Sequence, residues 1–309
     1  MFFLRIRRAL ACLFVLACSF SGPCARAAEF EVVASFSILG DLVREVGGER
    51  IVVHTLIGAD ADAHSYEARP SDARQLGRAR LVFVNGLGFD DWLARLARSS
   101  GRASALVVAS QGIHPLTMDE NDESGDHHNH DEGIDPHAWH DVNNVLRYVD
   151  NIEAALVAAD PPGAADYHAR AEAYRAQLRQ LDADIRATIA RLPPTRRRIV
   201  SSHDAFAYFS RAYGLVFLAP TGVATDAEPS AKGVASLIAQ LREKKAAALF
   251  VENITDPRMM ELIRHESGAV MGGTLYSDAL SAPDGPAPSY LELMRHNLAT
   301  LAAALEADR

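Results

Sequence analysis

"FEVVASFSILGDLVREVGGERIVVHTLI", residues 30–57, sets an apolar run, a helical pattern and a second apolar run in a row. The flanking runs, 30–36 and 50–57, are continuously apolar rather than alternating, as strands covered on both faces of a parallel sheet are. Strand–helix–strand alternation of this kind predicts an α/β lobe. "LVFVNG" (81–86) and "ALVVAS" (105–110) extend it, with the helical "FDDWLARLARSS" between them. A second group follows: "RRIVSSH" (197–203), "LVFLAP" (215–220), "AALFVEN" (247–253) and "AVMGGTLYS" (269–277), with helices over 230–245 and 256–267. The expected fold is α/β, in two lobes, each with a roughly four-stranded parallel sheet flanked by helices.

A helical stretch separates the groups. From Tyr167 its apolar positions are Ala171, Tyr174, Leu178, Leu181, Ile185, Ile189 and Leu192, steps of three and four that form one stripe. From Gly163 to Leu192 such a helix runs about 45 Å, and Pro193-Pro194 ends it. This predicts a stiff linking helix over 163–192, a first lobe over 28–162 with a His-rich loop at 121–133, and a second lobe over 193–309.

Residues 1–27 have the features of a cleavable leader. Arg5, Arg7 and Arg8 precede the apolar run Ala9 to Phe20, and Ala25-Arg26-Ala27 supplies a small-x-small cleavage site. The run is too short for a membrane-spanning helix, which needs about 20 residues. A lipid anchor at Cys18 is the alternative, but Leu16 stands where a small residue is usual. Cys12, Cys18 and Cys24 all fall in the leader, so the mature chain is expected to carry neither a disulfide nor a thiolate metal site. Cleavage takes the basic residues from 31 to 27 against 40 acidic ones, a formal charge of −13. That balance argues against a nucleic-acid partner. The expectation is an exported, soluble, periplasmic monomer.

Ligands of open α/β sheets bind beyond the carboxyl ends of the strands. There the sequence places His64, in "GADADAHSYEARPSD"; His203, at the end of its strand; and Asp278, in "TLYSDAL". His137 lies in "DPHAWHD", where Asp135 is expected to cap a helix that Pro136 begins. Two positions come from each lobe and face one another across a cleft. Three imidazoles and a carboxylate complete the four-coordinate shell that zinc prefers. Successive candidates stand about 70 residues apart, so no short motif fixes them.

At "DAHSYEARPSDARQLGRARLVFVNGLGFDDWL", "DPHAWHDV", "SSHDAFAYF", "EPSAKGVASLIAQLREKKAAALFVEN" and "TLYSDAL" the chain resembles the zinc/manganese-binding solute-binding proteins of bacterial ABC transporters. The likeness covers essentially the whole mature chain, with the motifs in the same order. It implies two lobes joined by a backbone helix, and a metal in the cleft held by His64, His137, His203 and Asp278. Manganese-type members commonly carry Glu at the third position, so His203 points to zinc, although three-histidine members also take manganese. The implied role is capture of Zn2+ and delivery to an inner-membrane ABC permease for high-affinity uptake, with no enzymatic activity. A periplasmic zinc-donating protein is a further implied partner. The alternatives are the same role for manganese or iron, and a zinc-dependent hydrolase. A hydrolase needs an open metal position for water, which Asp278 would fill, and the chain has no HExxH helix.

His127, His128 and His130, in "NDESGDHHNHDE", stand in a segment too polar to join a core. The resemblance implies auxiliary metal capture there; the other reading is a plain solvated loop. Glu67, His140 and Glu252 are alternative ligands or groups that orient one. His54 is expected as a packed, hydrogen-bonded core residue, and Trp92 and Trp139 as packing residues with no ligand-stacking role. The loop bearing Asp278 is expected to move on metal release, which low pH would favour because a ligating imidazole must be neutral.

Overall fold

The computed structural model describes residues 29–117, 133–225, 229–244 and 248–306. Strands β1 (Phe30–Phe36), β2 (Ile51–Ile57), β3 (Leu81–Val84) and β4 (Leu106–Val108) form an all-parallel sheet in the order β2-β1-β3-β4. Helices α1 (Ser37–Gly47), α2 (Pro70–Arg78) and α3 (Asp91–Ser99) connect them. A two-residue antiparallel pair, β5 (Leu116–Thr117) and β6 (Ile134–Asp135), leads into α4 (Val142–Ala159) and α5 (Ala164–Arg191). The second parallel sheet contains β7 (Arg198–Val200), β8 (Val216–Leu218), β9 (Leu249–Glu252) and β10 (Met271–Leu275), in the order β10-β9-β7-β8. Read from the β8 edge, that order repeats the first sheet's. Helices α6 (Ala207–Tyr213), α7 (Ala231–Lys244), α8 (Arg258–Ser267) and α9 (Tyr290–Glu306) flank it. The chain is therefore α/β, with two four-stranded parallel sheets in two lobes.

The 28 residues of α5 span about 42 Å at 1.5 Å per residue. Its apolar stripe is buried from Tyr167 to Ile189 against α1, α4 and α9. One hydrophobic cluster runs without interruption from Val32 and Phe36 in β1, through Leu178 and Leu181 in α5, to Tyr208 and Leu301 in the second lobe. The smaller clusters around Val82 and around Leu249 lie within one sheet's layers each. Because the lobes share a core, swinging them apart would expose packed apolar surface at about 25 cal/mol per Å². The fold resists a wide hinge motion. Among the described residues, no helix is long and apolar enough to cross a membrane.

Asp41 pins the two ends of this shared core together. Its buried carboxylate accepts the Tyr290 backbone N–H at 2.8 Å, tying α1 to the start of α9. Burial pushes it up from 3.8 to about 6, against the smaller pull of that N–H. A carboxyl raised on folding favours the protonated fold, so its contribution is full below pH 3.8 and is lost as pH rises through 6. Asp41→Asn keeps an acceptor for Tyr290 and removes the buried charge. The expected result at pH 7.5 is a gain of at most about 3 kcal/mol, with a flatter stability profile between pH 4 and 6. Denaturant titration at several pH values checks this; a loss at pH 7.5 would mean that the ionised oxygen is what the Tyr290 N–H requires.

Candidate metal centre

His64, His137, His203 and Asp278 each present one ligand atom to a common centre, all within 4.8 Å of one another. His64 comes from the irregular 58–69 segment between β2 and α2. His137 follows β6 and precedes a single 3-10 turn, Ala138–His140. His203 lies three residues past β7, bridged to Thr221, and Asp278 lies three past β10. Parallel strands end on the same side of their sheet, so the loops that follow them meet there, and the two sheets point these loops at each other.

The three rings aim Nε2 inward. His64 Nε2 is 3.3 Å from His137 Nε2 and 3.1 Å from Asp278 Oδ2. His203 Nε2 is 3.2 Å from Asp278 Oδ2, and His137 Nε2 is 3.5 Å from Asp278 Oδ1. Carboxylates behind two of the rings fix this orientation. Asp135 Oδ1 accepts both His137 Nδ1–H at 2.8 Å and the His137 backbone N–H at 2.9 Å. Glu252 Oε2 lies 2.6 Å from His203 Nδ1, too close for two bare acceptors, so Nδ1 carries a proton. Glu252 Oε1 meanwhile accepts the backbone N–H groups of Ser202 and His203.

The surroundings are apolar. The Phe89 ring meets His64 edge-on at 5.1 Å, and Trp139 packs 5.3 Å from His137. Side chains of His137, His203 and Asp278 are 0–1% exposed, that of His64 8%. Burial alone would lower His137, but the Asp278 charge and the Asp135 hydrogen bond outweigh it and lift the ring to about 9. Burial also opposes the charge on His203, yet Glu252 and Asp278 raise that ring well above the ordinary imidazole range. Asp278, although desolvated, is held well below the usual carboxylate range by His137 and His203. The carboxylates thus stabilise positive charge at this point, whether it is carried by protons or by a cation. A cation that takes the ring nitrogens must displace their protons.

Several expectations change against this geometry. Asp135 does not cap a helix: it ends β6 and makes an Asx-type contact with His137, and α4 begins only at Val142, capped by Asp141. The residue before a proline is pushed to extended backbone, which suits the strand end. His140 is buried against Phe206, ring centroids 4.5 Å apart, and stands outside the group of four. Burial and the neighbouring His137 lower it to about 3. Glu67 is exposed and also outside the group, while Glu252 backs His203. His54 is no core residue: on edge strand β2 it is part-exposed and 3.2 Å from Glu31. Trp139 does more than fill space, since its Nε1–H donates to Ser277 O, next to Asp278. The Asp278 segment is held on both flanks, by Asn297 at Tyr276 N and by Ser37 at Leu280 N. It is poorly placed to be the part that moves. His127, His128 and His130 lie outside the described residues, as do residues 1–28.

Comparison with known proteins gives a consistent result. The manganese-binding lipoprotein MntA of Halalkalibacterium halodurans is 34% identical over 275 residues, 89% of this chain and 88% of that protein. The iron-binding protein YfeA of Yersinia pestis is 32% identical over 284 residues, covering 91% and 88%. Among solved structures, the periplasmic zinc binding protein TroA of Treponema pallidum superposes with a TM-score of 0.80 at 31% identity, over 90% of this chain and 99% of that one. A manganese-bound variant of the periplasmic metal binding protein of Candidatus Liberibacter asiaticus gives the same TM-score, 0.80, at 31% identity, over 89% and 99%. The family described as zinc-uptake complex component A, periplasmic, matches residues 32–304. The chain belongs to this family, the metal-binding substrate-binding proteins of ABC transporters, which are carriers and not enzymes.

Proposed function

We propose that the chain is a zinc carrier: it takes Zn2+ in the periplasm into a shell formed by His64, His137 and His203, each through Nε2, and by Asp278, and hands it to an inner-membrane ABC permease. The donor set carries this reading. Three imidazoles and one carboxylate are the nitrogen and oxygen donors that zinc takes when thiolates are absent. Three ligand-atom separations, 3.1, 3.2 and 3.3 Å, match the roughly 3.3 Å edge of a tetrahedron with bonds of about 2.0–2.1 Å. Asp278 fills the position that a hydrolase would leave to water.

One observation favours manganese or iron as a second cargo. Both Asp278 oxygens face the rings, so a bidentate carboxylate would raise the shell to five donors, more than zinc's usual four. A competition titration of the metal-free mature chain with zinc and manganese, read by chelator displacement, separates the two. The expected result is one tight zinc equivalent that excess manganese does not displace. Comparable manganese affinity would make this a mixed-metal carrier, and no tight equivalent of either would end the zinc reading.

A further inference from the structure

We propose that Asp62 and Thr225 form the latch that holds the metal centre shut, and that the breaking of their hydrogen bond sets the rate of metal release. The inference rests on the metal-site reading above and adds positioning residues to it. His64 is the one site side chain near solvent, and its segment, 58–69, has no regular structure. The Asp62 carboxylate holds it from two directions. Oδ1 accepts the His64 backbone N–H at 2.9 Å, and Oδ2 accepts the Thr225 hydroxyl at 2.7 Å. Thr225 belongs to the opposite lobe, beyond β8. A single carboxylate therefore couples the position of His64 to the far wall of the cleft.

That wall is also where solvent approaches the buried His203. A cavity of about 280 Å³ is lined by Asp62, Thr225, Thr221, Ser202 and His203. The Asp62–Thr225 bond is part of its lining, so parting it frees the His64 segment and widens the space leading to His203 in one step. The same segment has a second and firmer grip at its root. Asp60 donates its N–H to Leu280 O at 2.8 Å and accepts from Asn253 Nδ2 at 3.0 Å and Ala282 N at 3.1 Å. Three bonds hold Asp60 to the Asp278 side, whereas one side-chain bond holds Asp62 to Thr225. The weaker grip opens first, and the segment swings about Asp60 while the lobes keep their shared core.

Thr225→Val removes the donor at nearly constant volume, and Thr225→Ser restores it. The protein would be loaded with one equivalent of zinc, and release followed by stopped-flow transfer to excess chelator. A hydrogen bond to a charged acceptor contributes enough that the valine variant should release zinc about ten- to a hundredfold faster. The serine variant should release at close to the original rate. The metal-free valine variant should still fold and take up one zinc equivalent, so that the change lies in the release rate, which a merely structural role for Thr225 would not produce. Release within twofold of the original, or faster release that serine fails to reverse, overturns the latch. Failure of the unaltered chain to bind zinc would instead overturn the metal-site reading, so the two failures are distinguishable.

Discussion

Alanine at His203 should cost the chain its tight metal binding, with affinity falling about a hundred- to a thousandfold. The estimate follows from the donor count. Structural zinc sites bind with about 10–16 kcal/mol, and an even share among four donors is about 2.5–4 kcal/mol each, close to 10²–10³ in affinity. His203 should lie at the upper end, since it is buried and already oriented by Glu252. The metal-free variant should also be less stable by about 1–3 kcal/mol, because Glu252 Oε2 loses the group it faces. Its Oε1 keeps the Ser202 and His203 N–H groups, so the loop itself should hold. Calorimetric titration with zinc, alongside denaturant unfolding of the metal-free protein, reads both effects. Tight zinc binding that survives in this variant would rule out the centre as the principal site. Replacing His127, His128 and His130 together would then show whether that segment holds the ion.

How far the sequence could carry this picture depended on the kind of information each feature needed. The strand at 30–36, the helix after it and the buried stripe of α5 were legible because periodicity is a local signal: every third or fourth residue from Tyr167 is apolar, and those residues are buried. Strand ends then gave His64, His203 and Asp278 a common address, because parallel strands deliver their following loops to one edge. That the four side chains form one set came from the resemblance, not from spacing. The groups behind them were harder to see. Asp135 resembles a helix cap by sequence, and its role depends on His137 turning back over it. Phe89 and Trp139 look like ordinary packing residues, and their meeting with His64 and His137 is tertiary. Glu252 lies 49 residues from His203; it was recognisable as an acid at the end of a strand, but not as that ring's partner. His54 was misread because an apolar run does not reveal which strand lies at the edge of a sheet.

Glu252→Gln should weaken zinc binding about ten- to a hundredfold while leaving the fold intact, and the reason lies in one proton. Glutamine has the same shape, and its amide oxygen can still accept the Ser202 and His203 backbone N–H groups at 2.8 and 3.0 Å. The amide nitrogen then takes the place of Oε2, 2.6 Å from His203 Nδ1. A donor there requires Nδ1 to be the acceptor, which puts the imidazole proton on Nε2, the atom that faces the other ligands. The ring must give up that hydrogen bond or relocate the proton before it can bind a cation. The loss of a buried negative charge beside the cation adds to the same deficit. Unlike His203→Ala, this variant leaves all four donors in place, so one zinc equivalent should still bind, only more weakly. Its nitrogen-15 imidazole spectrum in the metal-free state should show His203 Nδ1 without a proton. An unchanged affinity would mean that His203 is oriented by its packing alone, and that the 2.6 Å contact with Glu252 contributes nothing to the metal.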